Sequence, residues 1–219
     1  MVQKDIQNFI ENKLVELIRK DLSNFQIGIE RDFESLLFHH LRNFLEKKYP
    51  QIKISTNFSI IGVKIWKWGK NPKTKKKEWK KSTFVQPDVV LSKIKINQKK
   101  PISNHKIAFE LKVVSPSVNS SPTFNSGDYH KDFRKLNKLK QDGFVDKAYF
   151  FVICSSLTKS EDEIVVDIEN AEFEDGKNRK RKNYPKCFTS LVINRYTDPK
   201  KKTDILTNKS LIKKIQNTN

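Results

Sequence analysis

Two short stretches decide the fold: Gln86-Pro87-Asp88-Val89-Val90-Leu91 and Ile107-Ala108-Phe109-Glu110-Leu111-Lys112-Val113-Val114. Both have the apolar, β-branched composition of a buried strand, yet both carry charge. Side chains of an extended strand alternate between two faces, so Glu110 and Lys112 share one face and the apolar residues beside them share the other. A buried charge requires a partner or a metal. The pattern therefore predicts that Asp88, Glu110 and Lys112 meet between two paired strands.

A divalent metal is the expected partner of these carboxylates. If the two strands pair, Asp88 and Glu110 become neighbours, and neighbouring carboxylates need a cation between them. Mg²⁺ accepts one or two carboxylates and a backbone carbonyl, here that of Leu111, and keeps several waters; Mn²⁺ is the expected substitute. Lys112 would then lie where an ammonium can position a water or stabilise charge on a phosphate. These parts predict metal-assisted phosphodiester hydrolysis.

Two helices are predicted before the first strand. Apolar residues recur at helical spacing from Lys4 to Leu22 and again from about Glu30 to Lys48, where Pro50 follows. Residues 52–68 are rich in Ile, Val, Phe and Trp, and the turn cluster Gly69-Lys70-Asn71-Pro72 predicts a hairpin. The chain therefore changes from helix to strand near residue 50.

The rest of the chain alternates strands and helices. The predicted elements are strands at about Phe84–Ile96 and Lys106–Val114, a helix near Asp128–Gln141, a fully buried strand Lys147–Cys154, and short strands near Ile164–Ile168 and Phe188–Tyr196. A basic run, Lys177–Lys182, and a lysine-rich tail from Pro199 complete it. We expect one α/β domain of 219 residues with a mixed central sheet flanked by helices.

This arrangement resembles the PD-(D/E)XK nuclease superfamily, whose motif corresponds to Pro87-Asp88 and Glu110-Leu111-Lys112. Pro87-Asp88 is the only Pro-Asp pair in the chain, and Glu110-Leu111-Lys112 is its only acidic-x-Lys match within a strongly apolar strand. The resemblance implies a restriction-endonuclease-like αβββαβ core at about 30–154. An N-terminal helical extension (1–29) and a β-rich C-terminal extension with a basic tail (155–219) would flank that core. It also implies that Asp88 and Glu110 bind the metal, beside the Leu111 carbonyl that suits Mg²⁺, and that Lys112 is catalytic.

The resemblance further implies an acidic residue from the first core helix. Glu30 is the better candidate for catalysis and metal binding, because it begins the helix on the side of Phe33. Glu34 is near the same face, and an ordinary first-turn glutamate favoured by the helix dipole explains Glu30 equally well. On the later helix, Asp132 and Lys135 can approach the phosphate, but a solvated charged face is the preferred interpretation.

The charge predicts a polyanionic partner. The net charge of +19 comes from 44 Lys and Arg against 25 Asp and Glu, and nucleic acid is the first candidate. A lysine-rich surface that reflects biased composition alone is the alternative. The predicted tip of the hairpin concentrates this charge, and its lysines would contact phosphates while a tryptophan stacks on bases. The predicted contact residues are Lys70, Lys73, Lys75, Lys76, Lys77, Lys80, Lys81 and Trp79.

The cellular setting is predicted from absences. Cys154 and Cys187 have neither a metal-binding spacing nor the pattern of a disulfide framework, which favours a reducing cytoplasm. No stretch approaches about 20 apolar residues, and the N-terminus lacks a signal-peptide pattern. We therefore expect no membrane association.

These expectations combine into a Mg²⁺-dependent endodeoxyribonuclease of restriction type that acts as a homodimer. Only the resemblance favours DNA over RNA as the substrate. The alternatives are a structure-selective repair or recombination nuclease resembling a junction resolvase, and a nucleic-acid-binding protein without catalysis. In the last case Asp88, Glu110 and Lys112 would form a buried ion-pair network.

Overall fold

The computed structural model describes residues 2–24, 27, 29–70, 75–97, 100–114, 127–156, 159–174 and 181–195. Its helices are α1 (Val2–Asn8), which continues through a π-helical segment (Phe9–Leu14) into α2 (Val15–Ser23), then α3 (Glu30–Lys48), α4 (Gly127–Gln141) and α5 (Glu161–Asn170). Its strands are β1 (Ile52–Thr56), β2 (Ile60–Lys70), β3 (Lys77–Val85), β4 (Val89–Asn97), β5 (Lys100–Val114), β6 (Lys147–Cys154), β7 (Phe173–Glu174), β8 (Arg181–Lys182) and β9 (Thr189–Asn194).

The main sheet of the described chain has five strands in the order β1-β4-β5-β6-β9. The pairs β1–β4 and β4–β5 are antiparallel, whereas β5–β6 and β6–β9 are parallel. Parallel neighbours need a crossover connection, and α4 and α5 lie in the two crossovers. The predicted mixed sheet flanked by helices is confirmed. β9 extends this sheet beyond the range 30–154.

Both faces of the sheet are buried, which explains the continuous apolar run of β6. Phe151 and its alternate neighbours pack with α1, α2 and α3, whereas Phe150 and its alternate neighbours pack with α4 and α5. In α3 the predicted apolar stripe is buried at Phe33, Leu37, Leu41 and Leu45, whereas its remaining member, Phe44, is only partly buried. The predicted helix Glu30–Lys48 and the buried central strand Lys147–Cys154 are therefore confirmed.

The predicted hairpin exists, but it is a separate sheet inserted between β1 and β4. β2 pairs only with β3 among the described strands, and Gly62, with φ of 95°, allows the bulge that shifts their register. β2 continues to Lys70 and β3 begins at Lys77. The connection between the strands is therefore shorter than the predicted tip of the hairpin, which extends from Lys70 to Lys81.

The predicted single strand Phe84–Ile96 is wrong, because it is interrupted between β3 and β4. Pro87 has no N–H to contribute to a strand ladder, so it favours a break there. Asp88 consequently lies in the bend immediately before β4 rather than within a strand.

The predicted strand near Ile164–Ile168 is also wrong, because this stretch lies within α5. A reciprocal cap begins the helix. The Ser160 hydroxyl accepts a hydrogen bond from the Glu163 N–H at 3.3 Å, and the Glu163 carboxylate accepts one from the Ser160 N–H at 2.7 Å. Ile164 and Ile168, one helical turn apart, are buried. The C-terminal extension is therefore less β-rich than predicted, although β9 confirms the strand near Phe188–Tyr196.

The Ser160→Ala variant is expected to lower the free energy of unfolding by about 1 kcal/mol, because it removes the acceptor of the Glu163 N–H in the first turn of α5. Urea denaturation followed by circular dichroism measures the change. Ser35→Ala, at an exposed position within α3, is the matched control and should be neutral or slightly stabilising. Equal stability of the two variants would contradict the role of the cap.

The remaining predictions for the C-terminal part concern basic segments and cysteines. Of the run Lys177–Lys182, only Arg181–Lys182 is described, as β8 paired with β7, and the tail from Pro199 lies outside the described residues. Cys154 and Cys187 form no disulfide. None of the described helices combines the length and apolar character that a bilayer-crossing segment needs.

Candidate metal and phosphate site

Asp88 is held at both its backbone and its side chain. Its carbonyl accepts a hydrogen bond from the Asn57 N–H at 3.0 Å, and its Oδ2 accepts one from the Leu111 N–H at 2.7 Å. Asn57 has a φ of 51°, a conformation that asparagine tolerates better than most residues. Together these contacts fix the Asp88 carboxylate beside β5.

The start of β4 creates the opening in which the site lies. The first pair of the β4–β5 ladder is Val89 with Phe109, so Leu111 extends beyond β4 and faces the Asp88 bend. The Leu111 N–H therefore binds a carboxylate instead of a neighbouring strand. This antiparallel pairing confirms the prediction that Asp88 and Glu110 come from adjacent segments.

Glu110 is the most deeply buried of the predicted charged site residues, with 1% of its surface exposed. The face it shares with Ala108 is covered by α4, so the prediction of a core face and a charged face holds only in part. Its Oε2 accepts a hydrogen bond from Lys135 at 2.6 Å. Its Oε1 has no hydrogen-bond partner among the described residues. An unpartnered buried oxygen is costly, and it marks a position where a further ligand fits.

Lys112 links the sheet to two helices. Its Nζ lies 3.2 and 3.3 Å from the carboxylate oxygens of Glu30 at the start of α3, and 3.5 Å from Asp132 Oδ2 on α4. Glu34 instead accepts a hydrogen bond from the Asn57 side chain at 3.5 Å. The structure therefore brings Glu30, rather than Glu34, to the predicted catalytic lysine.

Asp132 and Lys135 belong to the site, and their interpretation as a solvated face is wrong. Asp132 is 6% exposed, and the Lys135 side chain is 18% exposed. Lys135 Nζ lies 3.0 Å from Asp132 Oδ1 and also contacts Glu110. Both residues adjoin apolar residues of the helix that are fully buried, Phe133 and Leu136, which is the signal that could have indicated their burial.

The lysines of the site compensate the burial of Glu110 and Asp88 only in part. Burial raises the pKa of Glu110 well above its usual value. Lys135 opposes this shift, and Asp132 and Asp88 reinforce it. Burial likewise raises the pKa of Asp88 despite the Leu111 N–H and the two lysines. The site has four carboxylates (Glu30, Asp88, Glu110 and Asp132) and two ammonium groups, so one divalent cation would balance its charge.

Both lysines of the site are ammonium groups at neutral pH. Burial lowers the pKa of Lys112, but Asp132 and Glu30 raise it further, so that it lies above its usual value. The pKa of Lys135 is raised in the same way, since Glu110 and Asp132 outweigh its burial. In this state Lys112 can donate hydrogen bonds and stabilise negative charge.

The carboxylates of the site are not already gathered as in a bound metal centre. Among the described residues no three acidic, histidine or cysteine side chains form a metal-holding group. Lys112 instead lies between Glu30 and Asp132, and Lys135 lies between Glu110 and Asp132. The donor set nevertheless fits a hard divalent cation, because all its side-chain donors are carboxylate oxygens and one buried oxygen has no partner in the described part of the chain.

The predicted nucleic-acid contacts are described only in part. Lys75 and Lys76 are exposed. The backbone places Lys70 in β2 and Lys77, Trp79, Lys80 and Lys81 in β3, but their side chains are outside the described structure, as is all of Lys73. β3 ends at Val85, three residues before Asp88, so the basic hairpin leads directly into the site.

Comparisons with protein-family models, curated proteins and solved structures find no match for this chain. Its function is therefore inferred from the arrangement of its own residues.

Proposed function

We propose that the chain is a metal-dependent endonuclease that hydrolyses phosphodiester bonds of DNA. The observation that carries the proposal is the Oε1 atom of Glu110, which is buried, lacks a hydrogen-bond partner within the described ranges and lies next to an excess of carboxylates. Asp88, anchored by Leu111, supplies a second oxygen donor on the adjacent segment. A divalent cation satisfies both the orphaned oxygen and the missing positive charge.

Each residue has a distinct role in this proposal. Asp88 and Glu110 would hold the metal, which when bound would polarise the phosphate and activate a water. In an extended strand the N–H and the carbonyl of one residue point to the same side, so the Leu111 carbonyl is available on the Asp88 side. Lys112 stabilises the negative charge that develops on the phosphate. Glu30 orients the Lys112 ammonium from the start of α3.

The substrate and the assembly are proposed from the charge of the chain and from the resemblance. The net charge of +19 and the basic hairpin beside the site favour a nucleic acid, and the PD-(D/E)XK resemblance and the restriction-endonuclease-like core it implies favour DNA. Cleavage of both strands at a symmetric site would require two copies of the chain, so the restriction-type proposal includes a homodimer. Analytical ultracentrifugation with and without DNA measures that assembly.

Incubation of the purified chain with supercoiled plasmid tests the proposal. We expect cleavage with Mg²⁺ and with Mn²⁺, and none with EDTA. Discrete fragments would indicate sequence recognition. Cleavage of branched but not linear DNA would favour the repair or recombination alternative, and cleavage restricted to RNA would replace the substrate. Intact nucleic acid in every condition, with tight salt-dependent binding, would contradict the proposal.

Cleavage and Mn²⁺ binding are expected to fail as the pH falls through a range above that of ordinary carboxyl groups. A protonated carboxyl cannot bind the metal, and burial raises the pKa of both Asp88 and Glu110. Metal competes with the proton, so a higher metal concentration should shift the midpoint to lower pH. Titrations at two Mn²⁺ concentrations measure this shift, and a midpoint independent of the concentration would contradict direct binding by these carboxylates.

A non-catalytic nucleic-acid-binding protein is the second candidate, because the lysines of the site already pair with Glu30, Glu110 and Asp132. In that case the network would be structural. The Asp88→Ala variant distinguishes the two functions. If the network is structural, the variant should be less stable, should still bind DNA, and should show no effect of metal on its stability or DNA binding. If the chain is a nuclease, the variant should lose cleavage.

A further inference from the structure

Lys135 takes the position of a cation between two carboxylates. Its Nζ lies 2.6 Å from Glu110 Oε2 and 3.0 Å from Asp132 Oδ1. Glu110 is 1% exposed, and its other oxygen has no partner among the described residues. Lys135 is thus the positive charge in direct contact with the buried carboxylate that is proposed to hold the metal. A metal that bound Glu110 through both oxygens would need the space that Lys135 occupies.

We infer that Lys135 is a displaceable internal cation, which neutralises Glu110 in the metal-free protein and leaves Glu110 Oε2 when a divalent metal binds Glu110 through both oxygens. The inference rests on the proposed metal site and adds a regulatory property to it. The ammonium competes with the metal, so the chain binds divalent cations more weakly than its carboxylates alone would allow. The same contact keeps the buried site folded before metal arrives.

The geometry makes Lys135 suited to this exchange. Its side chain is 18% exposed, so it already reaches solvent, and its four-carbon stem is flexible. It has a second partner in Asp132, one turn earlier on α4, to which it can remain bound after release from Glu110. Lys112 does not fill this role, because it contacts Glu30 and Asp132.

Calorimetric titration with Mn²⁺ alone, without DNA, tests the inference on the full chain. The Lys135→Met variant removes the competing charge and should bind Mn²⁺ at least about tenfold more tightly than the unmodified chain. Lys138→Met is the matched control. It removes the same charge from α4, but Lys138 pairs with Asp142 at 2.9 Å and does not contact the site residues described above. We expect the control to leave the Mn²⁺ affinity within about twofold of the unmodified chain.

Thermal unfolding is a second measurement, and it tests the inference even if a Lys135 variant has low stability. Lys135→Met and Lys135→Gln should both lower the melting temperature without metal, and added Mn²⁺ should raise it more in these variants than in the unmodified chain. Equal or weaker Mn²⁺ affinity in both Lys135 variants, with binding intact in the unmodified chain, would overturn the inference and leave the nuclease proposal standing. Absence of Mn²⁺ binding in all chains would overturn both.

Discussion

The Asp88→Asn and Glu110→Gln variants are each expected to reduce the rate of Mg²⁺-dependent plasmid cleavage by at least about 10³-fold, equivalent to about 4 kcal/mol of transition-state stabilisation. Each change preserves the shape of the side chain and removes a charged oxygen ligand. Asp88 keeps an acceptor for the Leu111 N–H as asparagine, and Lys135 keeps Asp132 as a partner after Glu110→Gln. The loss should therefore reflect the metal site rather than unfolding.

Asp142→Asn is the matched control for these two variants. Asp142 follows α4 and pairs with Lys138. The Asp142→Asn change therefore removes one negative charge and leaves Asp88 and Glu110 unaltered. Its cleavage rate should stay within about twofold of the unmodified chain, as expected for an exposed pair. Fluorescence anisotropy should show that all three variants still bind DNA. Cleavage by Asp88→Asn or Glu110→Gln at more than a tenth of the original rate would contradict the assigned roles.

The Phe150→Ala variant is expected to lower the free energy of unfolding by about 3–5 kcal/mol. Phe150 is fully buried on the central strand, and its ring centroid lies 5.0 Å from that of Phe133 in an edge-to-face contact and 6.1 Å from that of Phe188. Truncation removes these ring contacts and leaves a cavity between β6, α4 and the start of β9. Equilibrium denaturation in guanidinium chloride measures the loss.

Val166→Ala is the control for Phe150→Ala, because Val166 is 52% exposed on α5. Its effect should be within about 0.5 kcal/mol. If Phe150→Ala were equally mild, the central strand would not be packed on that face in the way the structure describes.

The parts of the fold that could be predicted are those in which one element carries its own pattern. In α3 four buried residues recur at helical spacing, and Pro50 follows the end of the helix, so both its type and its bounds follow from local information. β6 has an unbroken apolar run too short for a core helix, which is what burial on both faces requires.

The sequence-based predictions of secondary structure and topology are wrong where two local signals conflict or where a contact distant in the sequence determines the structure. Ile164, Val165 and Val166 have the composition of a strand, but the reciprocal cap of Ser160 and Glu163 begins a helix there, and Ile168 continues its buried face. The insertion of β2 and β3 depends on β1 pairing with β4, which no local pattern specifies.

The candidate site shows the same division. The positions of Asp88 and Glu110 followed from the charge they carry within apolar segments. For Asp132 and Lys135 the sequence favours a solvated face over an approach to the phosphate, because a charged pair on a helix is usually solvated. Only the crossover of α4 onto the face of Glu110 buries them.

A crystal structure of the chain grown with Mn²⁺, with data collected near the manganese absorption edge, tests most directly whether Asp88 and Glu110 form a metal centre. We expect an anomalous peak within coordination distance of Asp88 and Glu110, with Lys135 no longer bound to Glu110 Oε2. A fully loaded crystal whose Mn²⁺ lies only elsewhere, with the pair of Lys135 and Glu110 intact, would contradict the claim that these carboxylates form the metal centre.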